Sequence, residues 1–204
     1  MTADYRVLAA NYDCTAQRTM ALRAETIARL ALKPGDIVLD AGCGTGLSFP
    51  LLQDAVGPGG SIVGVESSQE MMALAQERVA RAGWRNVQLI AAPAETAQLP
   101  QRPDAVLLNY VHDVMQSGVA LTNLLQQCRP GARIAAAGIK HPARWLDPFR
   151  LYRRIKSRAC HVRMDGLDRP WRLLEAYVPD LQTESTLWTT GYMAWGHLDK
   201  PPAE

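Results

Sequence analysis

The chain has few of the features that would assign it to a special class of protein. None of its apolar runs approaches the roughly 18 residues that a membrane-spanning helix needs. Its first residues, MTADYRVLAANYD, carry acidic and polar side chains where a secretory signal has a basic start and an apolar stretch. The net charge of +2 is too small to indicate a nucleic acid partner by itself. We therefore expect a cytoplasmic protein.

Paired cysteines are also missing. The four cysteines, Cys14, Cys43, Cys128 and Cys160, form no CxxC pair and no histidine pair follows them. This spacing is not typical of a zinc or iron–sulfur site, so no metal is expected. With 204 residues, of which 48% are apolar, the chain is long enough to bury a core as one domain, which we place at residues 1–204.

Short apolar runs alternate with amphipathic segments along the chain. The apolar runs predict five buried strands, at residues 36–42, 61–66, 87–92, 104–111 and 132–139. Apolar residues at helical spacing predict four helices, at residues 20–32, 47–56, 69–82 and 118–128. Residues 181–198 predict an antiparallel hairpin. The expected fold is α/β, a Rossmann-like doubly wound sheet of seven strands, mostly parallel with a C-terminal antiparallel hairpin.

The stretch VLDAGCGTG places three glycines, Gly42, Gly44 and Gly46, at every second position after the first predicted strand. Glycines there let a ligand approach the backbone, and a helix starting near Thr45 or Gly46 would offer unpaired N–H groups. The alternative is a glycine turn that packs the helix closely on the strand. Because ligands bind at the carboxyl ends of parallel strands, we favour a binding site.

The spacing of the glycines distinguishes between cofactors. A dinucleotide fingerprint reads GxGxxG, whereas this loop reads GxGxG and has Leu47 at the place of the third glycine. Asp40 precedes the loop. A carboxylate there is a poor neighbour for a pyrophosphate and a good one for an amine-bearing or cationic ligand.

The stretch DAGCGTG resembles the first motif of the class I S-adenosylmethionine-dependent methyltransferases, and VGVESS, AAPAE and LLNYVHD follow in that family's order. The resemblance covers nearly the whole chain and implies S-adenosylmethionine as the cofactor. It also implies which residues contact that cofactor: Asp40, Ala41, Gly42, Gly44, Gly46, Glu66, Ser67, Met71, Ala94, Glu95 and Asn109.

Individual roles follow from the same resemblance. Glu66 would accept hydrogen bonds from both ribose hydroxyls, where the alternative is a solvated strand end. Met71, or its neighbour Met72, would line the adenine side. Pro93 stands where many relatives have an aspartate for the adenine amino group, so adenine recognition would depend on the backbone of Ala94, on Glu95, or on both.

The acceptor side carries the expected catalytic residues. Asn109 would lie near the amino group of the cofactor, and His112 or Asp113 would take a proton from the acceptor or orient it. The alternative is that these two residues cap the next turn. By the same resemblance Tyr12 would approach the cofactor carboxylate from an N-terminal helical lid, residues 1–32; the alternative is a tyrosine that packs within that helix. Tyr192 and Trp195 are expected either to wall the acceptor pocket or to pack in the core.

Positive charge is concentrated in one insertion, residues 140–166, where the stretch 140–163 holds eight Lys or Arg residues and one acid. The insertion could form a lid over an acidic substrate, contact an anionic membrane surface, bind RNA phosphates, or be a solvated face. Trp145 favours a lid or a lipid surface, and nucleic acid is disfavoured because no added binding domain is present.

The function expected from the sequence is methyl transfer to a small molecule or a lipid headgroup. The alternatives are a cofactor-binding regulatory protein without catalysis and, less favoured, an NAD-dependent oxidoreductase.

Overall fold

The structure is a computed structural model that describes residues 19–141, 166–186 and 190–199. Its centre is a seven-stranded sheet in the order β3-β2-β1-β4-β5-β7-β6. The strands are β1 Ile37–Ala41, β2 Ser61–Glu66, β3 Val87–Ala91, β4 Ala105–Asn109, β5 Arg133–Ile139, β6 Gln182–Thr186 and β7 Gly191–His197. β1 to β5 pair in parallel, whereas β7 pairs antiparallel with both β5 and β6. The predicted α/β fold with a C-terminal antiparallel hairpin is confirmed.

One α-helix precedes the first strand, and others connect most of the parallel strands. Those in the described residues are α1 Met20–Arg29, α2 Phe49–Val56, α3 Gln69–Ala82, α4 His112–Met115 and α5 Gly118–Gln126. The bounds of α3 agree with the sequence prediction because both ends are capped. The Ser68 hydroxyl accepts a hydrogen bond from Met71 N, and Gly83 takes the left-handed conformation that ends the helix.

The start of α2 differs from the prediction. The helix begins at Phe49 and not near Thr45, because turns occupy the preceding residues. Gly46 N donates to the carbonyl of Cys43, and Phe49 N donates to the carbonyl of Gly46, so the glycine segment closes on itself before the helix starts. The glycines therefore form a loop of their own between β1 and α2.

The sheet is buried on both faces. Successive residues of a strand point to opposite faces, so Val38 packs with α2 while Leu39 packs with α5 on the other side. Phe49 and Leu52 of α2 fill one core, and Leu121 of α5 fills the other. Burial on two faces explains why the strands read as continuous apolar runs rather than as alternating patterns.

The strand order creates a crevice at one edge of the sheet. β1 lies between β2 and β4, so the chain leaves β1 towards one side and returns to β4 on the other. Connections on the two sides of this point diverge at the carboxyl ends of the strands, where open α/β sheets bind ligands. The glycine loop, Glu66 and Asn109 all lie at this edge.

Several residues discussed above lie outside the described residues. They are Tyr12, Cys14, Cys160, residues 1–18 of the expected N-terminal lid, and residues 142–165 of the basic insertion. No helix in the described ranges combines the length and the apolar character needed to cross a membrane.

The turn after β3 is held by side chains of α5. Asn123 Nδ2 donates to the carbonyl oxygens of Ala94 and Ala97, both at 2.9 Å. Gln127 Nε2 donates to the same Ala97 carbonyl at 3.0 Å. These bonds satisfy the backbone of a turn that has no sheet partner, and they fix the position of Ala94.

We expect the substitution Asn123→Ala to lower the free energy of unfolding by about 1–3 kcal/mol, because it leaves the Ala94 carbonyl without a donor and removes one of the two donors to the Ala97 carbonyl. Urea unfolding of the purified variant measures the change. Val119→Ala, in the same helix at a position that is 66% exposed, is the control and should stay within about 0.5 kcal/mol of the parent. Equal stability of the two variants would contradict the bracing role.

Candidate functional site

A cavity opens at the crevice between β1 and β4. It is bordered by the glycine loop, the ends of β2 and β4, the turn after β3, the start of α4, and one side chain of α1. Eight residues that the sequence singled out border this cavity: Gly42, Gly44, Glu66, Ser67, Met71, Ala94, Asn109 and Asp113. The fold therefore brings together residues that are separated by as many as 71 positions in the chain.

The glycine loop needs glycine for two different reasons. Gly42 and Gly46 have φ values of 69° and 76°, and a Cβ atom would overlap Val111 at the first position and the Phe49 ring at the second. Gly44, with φ of 57°, borders the cavity, and a Cβ there would meet no atom within 4 Å. The first and third glycines thus permit close packing, and the middle one presents bare backbone to the cavity.

Glu66 links the two loops that border the cavity. Its Oε2 accepts a hydrogen bond from Gly44 N at 3.0 Å, and its Oε1 accepts one from Ser68 N at 2.7 Å. These bonds hold the carboxylate in one orientation at the cavity wall. Each carboxylate oxygen can accept a further hydrogen bond, so a ligand with two neighbouring hydroxyl groups fits this position.

Asp40 is the buried acid behind the glycine loop. Only 2% of its surface is exposed, and its Oδ2 has no hydrogen-bond partner among the described residues. Burial raises the pKa of Asp40 from 3.8 to about 7; the Arg23 charge opposes this rise, and the Glu66 charge adds to it. The carboxyl group is therefore close to the point of ionisation near neutral pH.

Asn109 and Tyr110 form the end of β4. Asn109 is 4% exposed and borders the cavity, and neither its Oδ1 nor its Nδ2 has a hydrogen-bond partner among the described residues. Tyr110 has a φ of 60°, a conformation that costs a non-glycine residue about 1–3 kcal/mol. Because buried polar groups are nearly always paired, an orphaned amide at a cavity wall indicates a place for a polar ligand.

Sequence reasoning missed two arginines at this site. Arg23 of α1 borders the cavity and is only 6% exposed. Its signal was an arginine among the buried positions of an amphipathic helix, beside Leu22 and Ile27. Arg78 of α3 donates from Nε to the carbonyl of Thr45 at 2.8 Å and so holds the glycine loop from outside. No sequence motif indicated that contact, because it joins residues 33 positions apart.

Other sequence-predicted residues lie away from the cavity. Asp40 and Ala41 at the end of β1 and Gly46 within the loop do not border the cavity. His112 does not border it either, unlike its neighbour Asp113. Glu95 does not border the cavity either. Its side chain is exposed and accepts a hydrogen bond from Ser117 Oγ at 3.0 Å, because the turn directs Ala94 inwards and the next residue outwards.

The structure places four side chains whose positions the sequence left open. Met72 is buried, and Met71 borders the cavity instead. Tyr192 and Trp195 are three positions apart in β7 and so point to opposite faces of the sheet. Tyr192 packs on Trp171, whereas Trp195 lies under Arg29, so they do not wall one pocket. No cluster of three metal-ligating side chains occurs in the described ranges.

Comparison with known proteins agrees with this geometry. Residues 38–131, from β1 to the turn before β5, match the methyltransferase domain family. Demethylmenaquinone methyltransferase of Anoxybacillus flavithermus is 27% identical over 128 residues, which are 62% of this chain and 54% of that protein. The enzyme of the same name from Listeria monocytogenes is 29% identical over 137 residues, 64% of this chain and 56% of its own. The aligned region thus spans about half the length of these relatives.

Solved structures show the same fold. A SAM-dependent methyltransferase from Aquifex aeolicus superposes with a TM-score of 0.63 at 20% identity, covering 86% of this chain and 89% of that one. An O-methyltransferase from Thermotoga maritima gives a TM-score of 0.64 at 16% identity, covering 89% of this chain and 66% of the other. The chain therefore has the fold of these solved structures, and its residues 38–131 are similar to the methyltransferase domain family. S-adenosylmethionine is the cofactor that this family implies.

The residues present fit that cofactor. The bare backbone of Gly44, the fixed carboxylate of Glu66 and the orphaned amide of Asn109 lie around one cavity, as a nucleoside joined to an amino acid requires.

The raised pKa of Asp40 predicts a pH-dependent loss of stability in the protein without cofactor. Below about pH 4 the carboxyl is protonated in both the folded and the unfolded chain. As the pH rises from 3.8 to about 7 the folded chain binds more protons than the unfolded one, so the free energy of unfolding falls, by on the order of 4 kcal/mol, and stays low above pH 7.

Asp40→Asn should remove this dependence, which urea unfolding at pH 4 and pH 8 measures. We expect the variant to be more stable than the parent at pH 8 and similar to it at pH 4. Asp54→Asn, at an exposed position of α2, is the matched control and should follow the parent at both pH values. Parallel stability curves for the parent and Asp40→Asn would contradict the buried ionisation.

Proposed function

We propose that the protein transfers the methyl group of S-adenosylmethionine to a small-molecule acceptor. The observation that carries the proposal is the convergence of the glycine loop, Glu66 and Asn109 on one cavity at the point where the strand order reverses. A nucleoside, a diol and an amino-acid group each find a matching partner there. The family and the fold neighbours support the same reaction class.

Roles in cofactor binding follow from the positions of the side chains. Glu66 accepts hydrogen bonds from the ribose hydroxyls, with Ser67 and Met71 beside it on the adenine side of the cavity. Ala94 contributes to the adenine side through its backbone N–H and its methyl group, since its carbonyl already accepts a hydrogen bond from Asn123. Asn109 binds the amino-acid end, with the acid of Asp40 buried behind it.

The main task of the protein in methyl transfer is to position the acceptor against the cofactor. When bound, S-adenosylmethionine supplies a methyl group on a sulfonium that is already activated for transfer. The chain must hold the acceptor in line with the methyl group and the sulfur, and it must exclude water. Orientation of this kind lowers the reaction barrier by roughly 7–11 kcal/mol in favourable reactions. Leu47, Val111 and Val114 give the cavity the apolar wall that excludes water.

Asp113 is the better placed of the two expected proton acceptors. Its exposed side chain borders the cavity, whereas His112 does not border it. We assign to Asp113 the removal of a proton from the acceptor, or the orientation of the acceptor, and His112 stays a predicted contributor. Tyr12 stays a predicted contributor from the N-terminal segment.

The names of similar proteins indicate which class of acceptor to test first. The curated relatives quoted above are named for demethylmenaquinone, so a quinone precursor is the first acceptor to test. Lipid headgroups follow, because the basic insertion predicted from the sequence suits an anionic surface. Contact of that insertion with a membrane, and the cytoplasmic location, stay predictions.

Calorimetric titration with S-adenosylhomocysteine and with NAD tests the cofactor, and transfer of a labelled methyl group to a panel of acceptors tests the reaction. The panel should contain quinone precursors, aminolipids and small amines. We expect binding of S-adenosylhomocysteine and transfer to at least one acceptor. Binding of NAD alone would overturn the proposal. Cofactor binding with no transfer to the panel or to a cell extract would favour a regulatory protein.

Glu66→Ala tests the ribose role. The loss of charge-assisted hydrogen bonds, worth about 1.5–3 kcal/mol, should raise the Kd for S-adenosylhomocysteine by at least about tenfold. Titration calorimetry measures this Kd, and a thermal melt shows whether the variant is folded. Glu77→Ala removes an exposed carboxylate from α3, away from the cavity, and should bind like the parent. An unchanged Kd for Glu66→Ala would contradict the assignment.

A further inference from the structure

The glycine loop between β1 and α2 is held from outside the cavity by an arginine of α3. Arg78 Nε donates to the Thr45 carbonyl at 2.8 Å. Thr45 is only 1% exposed, so its carbonyl needs a partner within the protein. Arg78 lies in the third turn of α3 and does not border the cavity, although Thr45 does. The hydrogen bond therefore reaches the loop from the side away from the space for a ligand.

The contact fixes the peptide group that joins Thr45 to Gly46. The carbonyl of this group accepts the hydrogen bond from Arg78, and its N–H donates to the Cys43 carbonyl at 3.0 Å. A rotation of the peptide group would break both bonds at once. Thr45 lies between two glycines, Gly44 and Gly46, with φ values of 57° and 76°, and glycine permits many other backbone angles. Arg78 thus stabilises one shape of a segment whose sequence permits several.

Helix α3 also contacts the wall of the cavity at its first turn. The N–H of Ser68, which caps the helix, donates to Glu66 Oε1 at 2.7 Å. The other oxygen of Glu66 accepts the hydrogen bond from Gly44 N at 3.0 Å, and Met71 borders the cavity. One helix therefore fixes the glycine loop relative to the Glu66 carboxylate, the two parts of the cavity wall between which a nucleoside would bind.

From these contacts we infer that Arg78 is a positioning residue for the cofactor, which keeps the glycine loop in the shape that binds without touching the ligand. The inference rests on the proposed function, under which the ligand of this cavity is S-adenosylmethionine. When only a fraction of a protein has the binding-competent shape, its Kd rises by the inverse of that fraction. Loss of the Arg78 contact therefore weakens binding although every residue that borders the cavity is unchanged.

A different role for Arg78 would be to stabilise the fold and nothing more. The two roles differ in what the folded variant can bind. Loss of a purely structural arginine lowers the stability of the chain and leaves the Kd of the folded protein unchanged. Loss of a positioning arginine raises that Kd, because the loop opens in the free protein and a bound ligand must close it again.

The test combines titration calorimetry with amide hydrogen exchange, followed by NMR, on the parent, Arg78→Met and Arg78→Lys. We expect Arg78→Met to raise the Kd for S-adenosylhomocysteine by about 3- to 10-fold. Without ligand the Gly46 amide of this variant should lose most of its protection against exchange, and saturating S-adenosylhomocysteine should restore it. Arg78→Lys keeps a charged donor and should recover part of both losses.

Arg81→Met is the matched control on the same helix. Arg81 is exposed in the last turn of α3 and does not border the cavity, so its substitution should leave the Kd and the Gly46 exchange rate unchanged. The amide of Val63, buried in β2, is the reference for global unfolding and should stay protected in every variant. If Arg78→Met does not fold, Arg78→Lys carries the comparison, with a raised Kd and a less protected Gly46 amide as the supporting result.

An unchanged Kd, a Gly46 amide that stays protected without ligand, or a raised Kd accompanied by an equal loss of protection at Val63 would each overturn the inference while leaving the proposed function intact. Failure of the parent to bind S-adenosylhomocysteine at all would overturn the proposed function itself, and the inference with it.

Discussion

The hydrogen bonds of the Glu66 carboxylate tie the site together. One oxygen binds the N–H of Gly44 in the loop after β1, and the other binds the N–H of Ser68 at the start of α3. Two segments that are adjacent in space but separated in sequence are thereby fixed relative to each other. Arg78, from the same helix, adds a third bond to the loop at the Thr45 carbonyl. The glycine loop is consequently shaped before any ligand arrives, which lowers the entropy cost of binding.

The same region concentrates unfavourable features that the rest of the fold must offset. A carboxyl group at Asp40 and a guanidinium at Arg23 are buried, and Tyr110 has a left-handed backbone. The Asn109 amide has no hydrogen-bond partner within the part of the chain that the structure describes. Such features cost stability, and they persist where the surrounding structure is rigid. Here two packed cores on either face of the sheet supply that rigidity. The concentration of these unfavourable features around one cavity distinguishes a binding site from an ordinary strand end.

How far the sequence could predict this structure depends on the range of the interaction involved. β2 and α3 have the predicted bounds because a turn precedes the strand and Ser68 and Gly83 cap the helix, all local signals. The predicted start of α2 was wrong because hydrogen bonds within the glycine loop shape the residues before Phe49 as turns, so the helix begins only at Phe49. Glu95 was expected at the cavity from its place in a motif, yet the direction of its side chain is set by a turn that α5 holds.

The sequence by itself determined the spacing of apolar residues in each element, the order of strands and helices along the chain, and the position of the glycine loop. Each of these depends on neighbours a few positions apart. The glycine loop, with Asp40 in β1 and Glu66 at the end of β2, also carries the resemblance to the methyltransferases that implies the class of cofactor. The tertiary structure decided which polar side chains meet in the cavity. Arg23, in a helix that precedes the first strand, joins Asn109 there because α1 packs against the end of the sheet. No pattern within the helix contains that information, since it arises from packing between distant segments.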